Sequence, residues 1–117
     1  MAQSIIGDKS LAFAKRIAKC YRFLKDKKDE TVMSKQLLRC GTSIGANVRE
    51  GQYAQSKKDF ISKMNISLKE AGETDYWLDV IHSAGYFTND EYTSLDADNK
   101  ELIRMLASIV KTSKEKK

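Results

Sequence analysis

The chain of 117 residues contains no proline and only 6 glycines. Proline breaks helix interiors and both residues mark turns, so their scarcity favours long uninterrupted helices over a sheet-rich fold. Apolar residues recur every three or four positions, and no stretch alternates apolar and polar residues for long enough to predict a strand. With 41% apolar and 32% charged residues, the chain can also bury a core. We therefore expect an all-α protein.

The hydrophobic periodicity predicts four helices joined by short polar connections. These helices cover residues 8–27, 32–54, 57–84 and 89–112. A chain of this length is ordinarily one domain, and helices joined by short loops pack antiparallel to their neighbours. We therefore assign residues 1–117 to a single up-down antiparallel four-helix bundle.

Residues at the predicted helix ends indicate where each helix begins and stops. Thr31 is the expected N-cap of the second helix. Ser56 and Thr88 begin sequences that resemble capping boxes, so they are the expected N-caps of the third and fourth helices. Gly85 is expected to end the third helix.

Gly41 and Gly45 lie inside the second helix, where each costs up to about 1 kcal/mol relative to alanine. Such a cost calls for a compensating role. One interpretation is the close approach of a neighbouring helix to a surface without side chains. The alternative is a helix turn that is locally opened at a functional site.

The sequence offers little catalytic chemistry. Cys20, Cys40 and the single histidine, His82, cannot form a closed zinc site without carboxylates, and no phosphate-binding loop or nucleophile motif occurs. The two cysteines fall at one height of a helical hairpin, so we expect neighbouring reduced side chains in the core, or alternatively a redox switch. We expect His82 to be hydrogen-bonded or partly exposed. We predict no catalytic residue, no metal and no cofactor.

Hydropathy indicates a protein without membrane contact. No uncharged stretch reaches the roughly 18 apolar residues that a membrane span needs. The first residues also lack the basic and apolar regions of a signal peptide. We therefore expect a cytoplasmic protein.

The net charge of +5 is concentrated in the first third of the chain. Residues 1–39 contain 10 Lys/Arg and 4 Asp/Glu, residues 40–84 contain 5 and 6, and residues 85–117 contain 6 and 6. A basic stripe on the first helix is a candidate nucleic-acid interface, although it lacks the aromatic residues typical of single-strand binders. Its members are Lys15, Arg16, Lys19, Arg22 and Lys25.

Polar residues beside the apolar stripe of the second helix form another candidate set. Ser43, Asn47 and Glu50 share one helix face and are expected to form a polar network that fixes helix register or a subunit contact. Glu50 with Glu70 or Glu73 is a less favoured acid–base pair for an enzyme, because no nucleophile or metal set accompanies these carboxylates. Asp75 projects close to the core and needs a partner.

The third helix carries a second apolar set in addition to its core stripe. Two apolar faces on one helix indicate a partner beyond the protomer, so the sequence predicts an oligomer. The expected interface residues are Ile66, Glu70, Glu73, Trp77 and Ile81.

Several blocks of the chain closely resemble the four-helix bundle family encoded by intervening sequences of bacterial 23S rRNA genes, also labelled the S23 ribosomal protein family. Where many relatives have proline, this chain has Gly45. The blocks that carry the resemblance are Asp8–Ala14, Ser34–Arg39, Gly41–Gly51, Ser56–Phe60, Leu68–Ala71 and Glu73–Leu78.

The resemblance implies an up-down bundle that assembles as a homopentameric ring, with no established enzymatic activity. The family is similar to the accessory protein of diversity-generating retroelements, a pentamer whose basic surface binds nucleic acid and a reverse transcriptase. The expected partners are therefore other copies of the chain, RNA or DNA, and another protein. The alternative is a protein–protein interaction scaffold without a nucleic-acid role.

Overall fold

The computed structural model describes residues 2–115, with side chains described from residue 5. Four helices form an up-down bundle 49 Å long and 21 Å across, which confirms the all-α fold. Each helix packs against the next, and α1 and α4, which close the bundle, share the fewest contacts. Within the described residues, no helix has an apolar stretch long enough to span a membrane. The helices are α1 (Ala2–Lys28), α2 (Val32–Gln52), α3 (Lys57–Ser83) and α4 (Asn89–Glu115).

The observed helix ends differ most from the sequence prediction at α1, which begins six residues earlier than expected. Ile6 is 1% exposed and belongs to the core, so the first turns of α1 are held by packing. Gly7 leaves room for Gln52, whose Nε2 would lie 2.7 Å from a Cβ on residue 7. The C-terminus of α2 lies at Gln52. There the amide of Tyr53 donates a hydrogen bond to the carbonyl of Glu50, three residues earlier, and the α-helical pattern ends.

Both predicted capping boxes have their expected N-caps. The Ser56 hydroxyl accepts from the Asp59 amide at 3.0 Å. At the start of α4, the Thr88 hydroxyl accepts from the Glu91 amide at 3.1 Å, and the Glu91 carboxylate accepts from the Thr88 amide at 2.8 Å. The second exchange is reciprocal, so it satisfies two amides that the helix leaves without partners.

Gly85 ends α3 as predicted. Its φ of 90° lies in the left-handed region that favours glycine. The amide of Gly85 donates to the carbonyl of His82, and the amide of Tyr86 donates to that of Ile81. This pair of bonds is a Schellman motif, which satisfies carbonyls at the helix end.

The predicted side-chain cap at Thr31 is wrong. Thr31 is the boundary residue, but its side chain makes no cap hydrogen bond. The carboxylate of Glu30 accepts instead from the amides of Val32, Met33 and Ser34, at 3.0, 3.2 and 2.8 Å. Burial raises the pKa of Glu30, but these bonds lower it by more, and the net pKa lies below the ordinary value.

The core of the bundle contains apolar side chains from all four helices, and α3 also buries two hydroxyl side chains. Ser67 donates to the carbonyl of Ile44 on α2 at 2.8 Å, and Thr74 donates to the carbonyl of Glu70. Among the buried apolar residues are Ile6, Phe13, Ile17, Leu24, Leu37, Cys40, Ile44, Val48, Met64, Ala71, Leu78, Ile81, Leu95, Leu102 and Leu106.

The glycines inside α2 mark its close approach to α1. A Cβ on Gly41 would lie 3.0 Å from two side-chain carbons of Ile17. A Cβ on Gly45 would lie 3.1 Å from the backbone oxygen of Ser10. Both glycines lie within continuous helix, so the structure supports close packing and not a locally opened turn.

Candidate functional site

Four cations form the basic face of α1: Lys15, Lys19, Arg22 and Lys25. All four are exposed, because the core-facing stripe of α1 points to the other side of the helix. Among the side chains of residues 5–115, the ion pairs involve Lys9, Arg16, Arg39, Lys63 and Lys100, and none involves a member of the basic face. The basic face therefore has charge available for an external anion.

Arg16, the fifth residue of the predicted stripe, is turned toward α4. Its guanidinium donates to the Asp98 carboxylate at 2.8 Å and to the Ser94 hydroxyl at 2.6 Å. Lys9 pairs with Glu101 at 3.3 Å and adds a second link between the same helices. Arg16 thus bridges α1 and α4, and Asp98 offsets its charge.

Beside the basic face lies a groove between α1 and α4, with a volume of about 230 Å³. Phe23 of α1 is 38% exposed at this groove, and the Nζ of Lys28 lies 5.8 Å from the centre of its ring. The groove is lined by Arg16, Lys19, Cys20, Phe23, Phe87, Glu91 and Leu95.

The basic stripe itself has no aromatic member, as the sequence indicated, but Phe23 lies beside it at the groove. Phe23 lies off the core stripe and one helical turn beyond Lys19. That spacing is visible in the sequence, although the groove, which depends on α4, is not.

The two cysteines are free thiols with different surroundings. The pKa of Cys20 is raised to about 11, mainly by burial and to a smaller extent by Glu91 of α4, while Arg16 opposes the change. Burial also raises the pKa of Cys40, although a hydrogen bond with Thr74 of α3 lowers it in part. Cys20 thus faces α4 and Cys40 faces α3. The sequence placed the two cysteines at the same height of the α1–α2 hairpin, but it did not show that their thiols face different helices.

The polar residues of α2 do not form one network. Ser43 donates to the carbonyl of Arg39, and Asn47 donates to the carbonyl of Ser43, so both bond within their own helix. Glu50 pairs with Lys63 of α3 at 3.1 Å. Only Glu50 of the predicted set therefore links two helices.

The predicted interface on α3 includes one misplaced residue. Ile81 is 0% exposed and lies in the protomer core, so it cannot contact another subunit in this packing. Ile66, which was predicted, is 38% exposed on the outer surface of α3. Tyr76, which was not predicted, is 58% exposed there. The ring of Tyr76 packs edge-on against Trp77, which is half-buried.

Arg39 of α2 joins the two predicted glutamates on α3. It pairs with Glu70 at 3.5 Å and with Glu73, which also accepts from the Trp77 indole at 3.1 Å. These carboxylates therefore serve contacts inside the protomer. Glu70 and Glu73, the possible partners of Glu50 in an acid–base pair, are thus both paired with Arg39.

The two other polar residues noted in the sequence have partners. Asp75 binds Lys100 at 2.8 Å, and this hydrogen bond, followed by that of Asp96, raises the pKa of Lys100. His82 stacks on Tyr92, and its Nε2 lies 2.8 Å from the side-chain oxygen of Asn89. In the part of the chain that the structure describes, no three His, Cys, Asp or Glu residues form a group suited to a metal ion.

A larger groove of about 540 Å³ runs between α1 and α2. Gly7 and Gly45 line it, together with charged residues of both signs that include Asp8, Arg49 and Glu50. This mixture does not favour an anion over a cation. The groove between α1 and α4 differs in lying beside the four exposed cations of the basic face.

Comparison with known proteins identifies the family. The sequence profile of the 23S rRNA-intervening sequence protein family matches residues 2–108. The chain belongs to the 23S rRNA-intervening sequence protein family. A comparison with curated proteins found no match.

A solved structure related to this member of the 23S rRNA-intervening sequence protein family has the same fold. It is a crystal structure of a protein with unknown function from the S23 ribosomal protein family of Bacteroides thetaiotaomicron. The two chains are 51% identical and superpose with a TM-score of 0.93, over 95% of this chain and 99% of that chain.

Proposed function

We propose that this protein is a non-enzymatic homo-oligomer that binds nucleic acid through the basic face of α1. The observation that carries the proposal is the group of four exposed cations on α1 that form no ion pair with the side chains of residues 5–115. Lys15 and Lys25 are separated by about 15 Å along the axis, at 1.5 Å per residue. A nucleic-acid backbone presents phosphates over the same length, and binding them releases condensed counterions.

Assembly strengthens this binding, since each copy of the chain adds another basic face. Several weak phosphate contacts on one assembly act together through effective concentration. The exposed Ile66 and Tyr76 on α3 support an interface between copies. The family resemblance favours a pentamer.

The ion pairs of the glutamates support the non-enzymatic part of the proposal. Glu50 pairs with Lys63, and Arg39 holds both Glu70 and Glu73. A general base must reach the proton that it removes, and carboxylates held by cations are poorly placed for that task.

Fluorescence anisotropy with a labelled RNA hairpin and a DNA duplex tests the binding. Wild type is expected to bind at low salt and to lose affinity as salt increases. Changing Lys15, Lys19 and Arg22 together to Glu should abolish binding. As a control, the exposed Lys57, Lys58 and Lys69 of α3 are changed to Glu. This control alters the net charge by the same amount as the α1 variant but should retain most of the binding. Equal losses in both variants, or no wild-type binding at low salt, would contradict the proposal, and the second result would favour a protein–protein scaffold.

Light scattering tests the assembly. The wild-type particle should have several times the protomer mass of 13.3 kDa, with five copies favoured. Tyr76→Glu should reduce its size, because a charge would be buried between copies. A wild-type particle of 13.3 kDa would contradict the oligomer.

A further inference from the structure

We propose that the α1 site selects single-stranded over double-stranded nucleic acid, because the groove between α1 and α4 receives one unpaired base against Phe23. This inference rests on the nucleic-acid binding proposed above and names its substrate class. The decisive feature is the position of an exposed aromatic ring beside unpaired cations.

Phe23 has the exposure and neighbours of a stacking residue. Its side chain is 38% exposed, although the adjacent Leu24 is fully buried. Lys19 lies one helical turn before it at the same groove, and Lys28 lies over its ring. An aromatic face next to cations allows a base to stack while its phosphate meets a positive charge.

The groove has the size and lining for one planar ring system. Its volume of about 230 Å³ is below the roughly 300–1,000 Å³ of pockets for drug-sized ligands. Phe87 and Leu95 give it an apolar lining, and Lys19 of the basic face also lines it. An inserted base would therefore exchange water for apolar contacts while its phosphate remained outside.

Charge distribution sets the orientation of the strand. Glu91 is the acidic group at the α4 side of the groove, where its carboxylate also accepts from the Thr88 amide. Its charge disfavours phosphate beside it, and Arg16 in the same lining is already paired with Asp98. The cations that attract phosphate are therefore Lys15, Lys19 and Arg22 of the basic face. This polarity places the backbone along α1 and the base toward α4.

A duplex cannot use the groove in this way. Its bases are paired and stacked inside the helix, and an extruded base costs pairing and stacking energy. A single strand can present an unstacked base at little cost, and every base has a face that stacks on an aromatic ring. The duplex would then bind through phosphate contacts alone.

The test compares a labelled single strand with the duplex of the same sequence, using anisotropy at one salt concentration. Wild type should bind the strand more tightly. Phe23→Leu should lower the strand affinity by about 5- to 150-fold, as for loss of one stacked base, and leave the duplex affinity unchanged. Phe23→Tyr keeps an aromatic ring and should retain the preference. Tyr53→Leu removes a ring that is 82% exposed at the other end of the bundle and should change neither affinity.

A 2-aminopurine base in the strand reports stacking directly. Its fluorescence should be quenched on binding wild type and Phe23→Tyr, but not on binding Phe23→Leu. Equal wild-type affinity for strand and duplex, or unchanged strand affinity in Phe23→Leu, would overturn single-strand selection. If Lys15, Lys19 and Arg22 were still needed for binding, the proposed function would stand. Failure of wild type to bind either nucleic acid would overturn both proposals.

Discussion

Gly45 of α2 faces the backbone carbonyl oxygen of Ser10 in α1, and a Cβ on residue 45 would lie 3.1 Å from that oxygen. A backbone atom cannot rotate away as a side chain can, so a larger residue would force the two helices apart. Gly72, on the exposed side of α3, provides a contrast, because nothing lies within 4 Å of its Cβ position. Alanine substitutions at the two glycines therefore separate the effect of helix packing on stability from the effect of helix propensity.

Gly45→Ala is expected to lower the free energy of unfolding by about 1–2 kcal/mol, since overpacking outweighs the gain in helix propensity. Gly72→Ala should raise it by about 0.5–1 kcal/mol, because only the propensity gain applies. Urea unfolding followed by circular dichroism measures both changes. A stabilised Gly45→Ala would contradict the close helix contact.

Glu30→Ala is expected to cost about 1–3 kcal/mol at neutral pH, because three amides at the start of α2 lose their acceptor. The pKa of Glu30 is lowered in the folded protein, so its stabilising effect is present above the unfolded-state value of about 4.5. It is lost as pH falls through the lower folded-state value.

Glu30→Gln keeps the shape of the side chain but removes its charge. The difference in unfolding free energy between wild type and this variant should therefore be largest near pH 7 and disappear in strong acid. Urea titrations across this range provide the measurement. A difference that did not change with pH would show that charge plays no part in the cap.

Asn99→Leu is expected to change stability by no more than about 1 kcal/mol, because removal of the unsatisfied oxygen offsets the cost of a larger side chain. Asn99 is 0% exposed, its amide donates to the carbonyl of Ala71, and its side-chain oxygen has no partner among the described residues. Leucine has the same branching at Cγ and removes the unsatisfied oxygen, but its side chain is larger. Thermal unfolding tests this expectation, with Asn99→Ala as a control that should destabilise by leaving a cavity. A loss in Asn99→Leu as large as that in Asn99→Ala would contradict this expectation.

The Cys20 thiol is expected to react slowly with iodoacetamide near pH 8, because its pKa of about 11 leaves little thiolate. The rate should continue to rise with pH until about 11. Mass spectrometry at short reaction times provides the measurement, with Cys40→Ala used to isolate the Cys20 signal. In urea the same thiol should react quickly at pH 8. A native rate that levelled off near pH 8–9 would contradict the raised pKa.

Local sequence predicted the helix ends that depend on neighbouring residues. The reciprocal bonds of Thr88 and Glu91, and the left-handed turn at Gly85, follow from side chains within one turn of each other. Glu30 was missed because its carboxylate must fold back over Thr31 to reach the α2 amides. That geometry depends on the turn after α1, where Asp29 has a φ of 55°.

Tertiary packing explains the errors on α3. Met64, Ser67, Ala71, Thr74, Leu78 and Ile81 are its buried positions, spaced alternately three and four residues apart. Two of them carry hydroxyls, so a search for apolar residues broke the stripe and assigned Ile81 to a second face. The hydroxyls are tolerated because Ser67 and Thr74 bond to backbone carbonyls.

The candidate site was predicted only in part, for a similar reason. The exposure of Lys15, Lys19 and Arg22 follows from their positions opposite the core stripe of α1. The diversion of Arg16 to Asp98 and the groove at Phe23 both depend on α4, which is about 80 residues away in sequence. Helix periodicity shows which face of α1 is exposed, but it does not show which residues of α4 lie beside that face.

The salt dependence of single-strand binding tests the central claim most directly. The logarithm of the binding constant, plotted against that of the salt concentration, has a slope of about −0.7 per phosphate contact. Changing Lys15, Lys19 and Arg22 to Gln should reduce the magnitude of the slope by up to about 2, whereas the same change at Lys57, Lys58 and Lys69 should leave it unaltered. Equal slopes for wild type and the α1 variant would contradict phosphate binding by the basic face.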